Sequence, residues 1–367
     1  LESFLMKFTP IALGTIALAA SLSAGAQTTE PSTSSVTIYG VVDAYVQSAH
    51  GALTENRVQS GGLNGSRIGF RGNEDLGGGL KALFVLESGI NLDDGTNGQN
   101  AFWGRQAFVG LGSQYGTLTL GRQYGSIYTL SNDFSAFGNT NVGPSTAVIG
   151  GFGGYEPVRG GTTTSATGNG GPARINNSVK FETASYAGFR GGLTYGAGEV
   201  AGATNDNRIA DVYGRYTQGP FDAMVSFVDD KGDLNGLDVR TTSGAASYTF
   251  GPARVTAGII SVDDRTVDNA DGRGYWVGGD YRFGQHLVRA QYLENKARNV
   301  DVGKTKAFGV GYQYDLSKRT AVYTSLTQFD NEGASYANRW NGSVPNGLMT
   351  ADDRDVTEFV AGIRHSF

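Results

Sequence analysis

The sequence predicts an all-β protein: a transmembrane antiparallel up-and-down β-barrel of about sixteen strands, with a long third loop folded into its lumen. Three observations carry that expectation. Side chains alternate between two faces with a period of two, most clearly Tyr275, Val277, Gly279, Tyr281 and Phe283 set against Trp276, Gly278, Asp280 and Arg282, a period no helix produces. After residue 26 no apolar stretch approaches the ~20 residues a membrane helix needs. Tight links alternate with long polar loops, and only a closed sheet satisfies every backbone group in hydrocarbon.

The elements follow in chain order. Lys7 precedes an apolar run from Ile11 to Leu22, and Ala24-Gly25-Ala26 gives a small-residue cleavage pattern. Residues 1–26 therefore read as a secretory signal peptide with Met6 as its plausible start, leaving residues 27–367 as the barrel domain. Strands are expected near 36–47, 65–73, 80–90, 101–112, 116–122, 174–183, 188–198, 208–218, 221–229, 239–250, 253–263, 273–283, 286–296, 304–315, 320–330 and 356–367. Tight turns at Asp75-Leu76-Gly77-Gly78, Gln114-Tyr115-Gly116, Gly219-Pro220, Gly251-Pro252, Gly284-Gln285 and Asp315-Leu316-Ser317-Lys318 mark one rim. Phe221, Phe250, Phe283, Tyr115 and Tyr186 sit beside such turns, where rings favour the headgroup level of a bilayer. The last strand places Phe359, Ala361, Ile363, His365 and Phe367 on one apolar face.

The connection from Gln123 to Ala173 has no sustained periodicity, and a structureless stretch of that size calls for a function. It carries Tyr124, Tyr128, Phe134, Phe137, Phe152 and Tyr155, rings that solvated linkers seldom hold. Folding into the lumen would bury them against the wall.

Composition narrows the function classes. The chain has no cysteine, which excludes a disulfide framework and thiolate metal sites. The net charge of −5 includes no basic block suited to nucleic acid. The three histidines, His50, His286 and His365, are scattered, and neither Gly-x-Ser-x-Gly nor His-Glu-x-x-His occurs, so an enzyme lacks parts. Asp93-Asp94-Gly95-Thr96-Asn97-Gly98 misses the acids a calcium loop requires and reads as a polar hairpin loop. No metal or cofactor is expected.

Several segments resemble the trimeric general diffusion porins of β-proteobacteria. They are Val36 to Ala44 (VTIYGVVDA), Ser66 to Gly72 (SRIGFRG) with Glu74-Asp75-Leu76-Gly77, Gly104 to Leu111 (GRQAFVGL), Gly121-Arg122, Asn176-Asn177-Ser178-Val179 and the terminal Arg364-His365-Ser366-Phe367. The resemblance spans essentially the whole mature chain. It implies a homotrimer in the outer membrane of a Gram-negative bacterium, embedded in lipid and lipopolysaccharide, passing small hydrophilic solutes and ions. It also implies that the barrel-assembly machinery reads Phe367.

The same resemblance assigns wall positions of a pore constriction to Arg67, Arg105 and Arg174, facing acids on the third loop. Alternation independently points them inward, away from Ile68 with Phe70, from Phe108 and from Ile175. Lys81 and Arg71 share that parity, Arg122 is ambiguous, and an arginine facing lipid at mid-membrane would cost about 2–4 kcal/mol. Asp133 is the best-placed loop acid, and the Glu that the resemblance implies just before a Phe-Gly pair is here Ala136, a departure from the pattern; Glu156 lies later in the loop, and Glu87 is a wall acid by parity. Several guanidinium groups against one or two loop carboxylates lead to an expectation of weak anion preference. Two alternatives stand beside a general channel. One is a substrate-specific channel for sugars or organic acids, to which Trp103, Trp276 and Trp340 could contribute; the other is a non-channel surface adhesin, in which a lipid-facing parity would be wasted.

Overall fold

A computed structural model describes residues 34–51, 54–144, 173–203, 205–231, 238–265, 272–297, 304–332 and 355–367. Its strands are β1 (Ser35–His50), β2 (Thr54–Ser60), β3 (Arg67–Gly77), β4 (Leu80–Gly89), β5 (Gln106–Ser113), β6 (Gly116–Tyr124), β7 (Arg174–Thr183), β8 (Phe189–Gly196) and β9 (Ile209–Gln218). They continue with β10 (Phe221–Asp230), β11 (Val239–Phe250), β12 (Ala253–Asp264), β13 (Gly272–Phe283), β14 (His286–Ala297), β15 (Lys304–Asp315), β16 (Thr320–Glu332) and β17 (Val356–Ser366). One helix, α1 (Ser126–Asp133), follows β6.

Every neighbouring pair is antiparallel, and β1 closes the sheet by pairing β17 from Val41↔Ser366 to His50↔Thr357. The other edge of β1 pairs β3 at Ser35 to Val41 and β2 at Ala44 to His50. Those two segments are thus one barrel strand interrupted at residues 61–66, and the seventeen segments make sixteen barrel strands. The expected strand at 65–73 is the lower half of this pair. Its upper half was missed because Gly61-Gly62 and Gly65 read as a loop.

Seven connections of two to five residues lie on one rim, and the long connections lie on the other. At Gly219-Pro220, Gly251-Pro252 and Gly284-Gln285 the first turn residue is a glycine at φ 57, 58 and 59°, the left-handed conformation that a two-residue hairpin turn with glycine first requires. A side chain there would strain the turn.

The outward face follows the alternation read from the sequence. Val277, Tyr281, Phe283, Phe308, Val310, Val225 and Ile363 are exposed around the outside, while Trp276, Leu293, Ala307 and Phe329 are buried within. Such an apolar exterior is tolerable only in lipid. Near the short turns the rings form a belt: Phe189 stacks toward Tyr216 (4.3 Å), Tyr281 lies 6.0 Å from Phe283, and Phe283 lies 4.9 Å from His286. Phe367 exchanges both backbone hydrogen bonds with Gly40 at 3.0 Å and keeps its ring exposed, completing the seam as the alternation of the last strand requires.

Candidate functional site

Inside the barrel the first cluster forms where β1, β3, β4 and β6 meet the start of the long connection. Glu87 on β4 is buried and accepts from Arg105 Nε at 2.8 Å, from Tyr39 Oη at 3.0 Å and from Tyr124 Oη at 3.2 Å. Arg67 Nε lies 3.5 Å from the second carboxylate oxygen. Arg105 also donates through Nη2 to Tyr124 (2.7 Å). Tyr124 stacks on Tyr128 of α1 at 3.9 Å, and the Arg174 guanidinium sits 5.1 and 5.7 Å from those two ring centres. Arg174 forms no salt bridge among the described residues, and the cation–π contact gives its charge a partner there.

The chain then leaves the wall as α1. Its N-terminus has no side-chain cap of its own. The carboxylate of Asp211 on β9 takes that role, accepting from the Ser126 backbone N–H at 2.7 Å and from its hydroxyl, which suits the positive end of a helix. One face of α1 and the residue after it, Ile127, Leu130 and Phe134, pack on the inward residues Ile175, Met224, Ile260, Trp276 and Leu293. Burying each such side chain contributes about 1.5–3 kcal/mol, so the loop adheres to the wall first by apolar contact.

Hydrogen bonds then fix its course. The Phe134 carbonyl accepts from Trp276 Nε1 at 2.6 Å and from the Thr256 hydroxyl. Arg254 on β12 donates to the carbonyls of Asp133 (3.0 Å) and Ser135 (3.1 Å) while holding Asp280. Gln291 accepts from Ala136 N–H (2.9 Å) and donates to Pro144 O (2.5 Å), and Arg289 reaches Ala136 O at 3.3 Å. Asn141 N–H donates to Gly62 O at 3.0 Å on the far side. The connection therefore crosses the lumen from β6, along β9 to β14, back to the break between β2 and β3.

The predicted residues fall into this geometry unequally. Arg67, Arg105, Glu87 and Arg174 come together as described. Arg71 keeps the expected inward side, its guanidinium 5.1 Å over the Tyr39 ring. Lys81 is inward but paired with Asp75 beside the turn, four residues or about 13 Å below the level of Arg71 at 3.3 Å per residue. Asp133 does not face Arg67, Arg105 or Arg174. It lies at the opposite end of α1, about 12 Å along the helix, and binds Arg215 Nη1 at 2.6 Å, with Arg215 also holding Asp222. Glu156, Phe152, Tyr155 and Trp340 lie outside the described residues.

Two parity arguments need correction. Phe108 pairs Val85 and Gly121 on the lumen side, while Val109 and Leu111 face outward. Arg105 precedes the ladder: its N–H bonds Glu87 O while Gln106 is already the partner of Glu87, the two-against-one count of a bulge. Ile175 is inward too, buried with α1. The β6/β7 register shifts between Gly121 and Gln123, and Asn177 sits at φ 50°; a one-residue slip reverses the faces above it.

Sequence reasoning missed Arg215, Arg254, Arg289, Asp211, Gln291 and Tyr39. Alternation with Val255 and Val288 marks Arg254 and Arg289 as inward, but nothing local says that a loop reaches them. Asp43 and Asp211 are held by backbone N–H and hydroxyl groups and form no salt bridge among the described residues. Glu87, Asp133, Asp222 and Asp280 are all held by arginines, while Arg122, Arg174, Arg289 and Arg364 form no salt bridge among the described residues. Arg122 Nη2, Arg174 Nε and Arg364 Nε are buried with no hydrogen-bond partner among those residues.

The Arg105–Glu87 pair is buried on both sides. Arg105→Met is expected to destabilise the barrel by about 3 kcal/mol, the lower end for stranding one member of a buried pair, since Arg67 and two tyrosines still reach Glu87. Urea unfolding in detergent measures it; a loss below ~1 kcal/mol would contradict the pairing.

A sequence model described as Gram-negative porin matches residues 12–334. Outer membrane porin protein 32 of Delftia acidovorans is 32% identical, covering 96% of this chain and 99% of its own. An outer membrane porin protein of Bordetella pertussis is 29% identical, covering 95% of this chain and 99% of its own. Among solved structures, an anion-selective porin from Comamonas acidovorans superposes with a TM-score of 0.74 at 28% identity, covering 91% of this chain and 100% of that one.

Proposed function

Because the chain belongs to the Gram-negative porin family, and is thus an outer-membrane channel, we propose that its pore carries a weak anion preference set where the third loop narrows the lumen. The observation that supports this is that Arg122, Arg174, Arg289 and Arg364 form no salt bridge among the described residues, beside Glu87, Asp133, Asp222 and Asp280, which arginines already hold. In a narrow passage with low-dielectric walls, unpaired fixed charge raises the local concentration of the opposite ion. Arg67, Arg105, Arg174 and Glu87 form one side of the constriction; Asp133 with Arg215 and Arg254 forms the other, while Arg71 and Lys81 extend the positive track toward the short-turn rim. The relative from Comamonas acidovorans is named anion-selective, which agrees in sign.

A general channel is favoured over a substrate-specific one. Trp103 packs against Phe70 and Phe102, and Trp276 is occupied by the loop carbonyl, so neither joins a track of free rings. Solute-driven swelling of liposomes bearing the protein tests this. Rates falling smoothly with solute size are expected, and saturation by one sugar or organic acid would overturn it.

The functional unit in this proposal is a homotrimer, with residues 1–26 as its export signal and lipopolysaccharide around it. Deleting Phe367 is expected to reduce assembled trimer in outer membranes at least several-fold, because it removes both the Gly40 pairing and the terminal ring offered to the assembly machinery. Heat-modifiable trimer bands on unboiled gels report it, and wild-type band intensity in the truncated strain would remove the claim.

A further inference from the structure

The break between β2 and β3 is an inward excursion organised by one residue of β1. Ser60 pairs Ala44 and Arg67 pairs Val41, so the six residues 61–66 stand opposite only Val42 and Asp43. The buried carboxylate of Asp43 accepts from four donors: Gly62 N–H (3.1 Å) and the Tyr323 hydroxyl on Oδ1, Leu63 N–H and Asn64 N–H (both 2.9 Å) on Oδ2. Its backbone is tied to the same turn, with Gly61 N–H donating to Asp43 O at 2.7 Å and Asp43 N–H donating to Ser66 Oγ at 3.0 Å. Only a carboxylate accepts on both oxygens. An amide in its place turns an NH2 group toward two donors whichever way it is flipped.

A second observation is what rests on this turn. Gly65 O accepts from Arg67 Nη1 at 3.0 Å, and Asn64 Oδ1 accepts from Nη1 of Arg364, the cross-strand neighbour of Asp43 on β17, at 2.7 Å. The Arg105 guanidinium lies against Gly65, where an added Cβ would come within 2.8 Å of Nη1. Gly62 O takes the Asn141 N–H of the third loop at 3.0 Å, and Leu63 packs with Val142 of that loop among Tyr45, Tyr323 and Val360. Three lumen arginines and the returning end of the loop therefore lean on six residues that Asp43 holds.

We propose that Asp43 is a positioning residue of the pore: through the turn at 61–66 it fixes how far Arg67, Arg364 and the returning third loop reach into the lumen. A turn released from the carboxylate recedes, the passage widens, and each fixed charge acts across more screened water. The consequence for selectivity rests on the anion preference proposed above, whereas the consequence for backbone opening does not.

Amide hydrogen exchange and zero-current potentials of the full chain carrying D43N or D43E test it. In D43N the amides of Gly62, Leu63, Asn64 and Asn141 should exchange at least about tenfold faster, while the β1–β17 ladder keeps its protection. D43E keeps the charge but displaces both oxygens by a methylene, so the anion-to-cation permeability ratio at ~0.1 M salt should fall at least about twofold. A plain fixed charge predicts the reverse pattern, D43E unchanged and D43N shifted toward anions. That pattern, or unchanged exchange in D43N, would overturn the proposal. Cation selectivity of the unaltered channel together with faster exchange in D43N would fault the anion preference and still support the positioning. Should neither variant assemble, the unaltered protein decides: the amides of Gly62, Leu63 and Asn64 should exchange as slowly as those of the β1–β17 ladder, and exchange at the rate of exposed loops would overturn the proposal.

Discussion

A channel carrying Arg67→Gln and Arg174→Gln is expected to lose most of its anion preference. Arg174 forms no salt bridge among the described residues, and Arg67 is the more distant of the two arginines on Glu87, which keeps Arg105 at 2.8 Å and both tyrosines. The fold should therefore survive. A unit charge ~7 Å from a permeating ion in water is worth about 0.6 kcal/mol, close to RT and opposite in sign for anion and cation. With a Debye length of ~10 Å at 0.1 M salt, screening halves this, and removing two charges lowers the anion-to-cation permeability ratio about sevenfold. At ~1 M the Debye length is ~3 Å and the same change shrinks to about 1.5-fold. Zero-current potentials at the two salt concentrations measure both numbers. An unchanged ratio at low salt, with trimers intact, would place these arginines away from the ion path.

The second large effect concerns the loop. Trp276→Leu with Arg254→Met removes one donor to the Phe134 carbonyl and the donors to Asp133 and Ser135. Arg254 also stands at the C-terminus of α1, where a cation is favourable. Each buried carbonyl left without a donor costs about 1–3 kcal/mol, and only the Thr256 hydroxyl remains on Phe134 O. Hydrogen exchange of residues 126–143 should then quicken at least about tenfold, while the ladders of β13 to β16 keep their protection, because the loop opens locally without the barrel. Channel currents should become noisier in the same variant. Unchanged exchange in that segment would mean that the apolar contacts of Ile127, Leu130 and Phe134 hold it unaided.

Much of this fold was legible because the bilayer makes the alternation binary. Tyr275 to Phe283 and Phe308 to Tyr314 could be assigned to faces residue by residue, since one face must be apolar and the other need not be. The legibility failed where the backbone departs from a simple ladder. The bulge around Arg122 and Asn177 turned Ile175 inward, the two-against-one pairing at Glu87 freed Arg105 from the parity of Phe108, and the glycines at 61–65 hid half of a strand. The resemblance assigns Arg67, Arg105 and Arg174 to the wall, whereas of these and Glu87 parity by itself puts only Arg67 and Glu87 on the inward face correctly. The partners of Asp133 were not legible, because the contact between Asp133 and Arg215 joins residues far apart in sequence, and which wall the loop lies against depends on apolar packing that no local pattern records.

The most direct test of an arginine-rich lumen is the zero-current potential of the unaltered protein in a planar bilayer under a KCl gradient. Arg122, Arg174, Arg289 and Arg364, which form no salt bridge among the described residues, predict a potential of the sign given by anion flow, modest in size and shrinking when the salt on both sides is raised toward ~1 M. A potential of the cation sign from intact channels would contradict it.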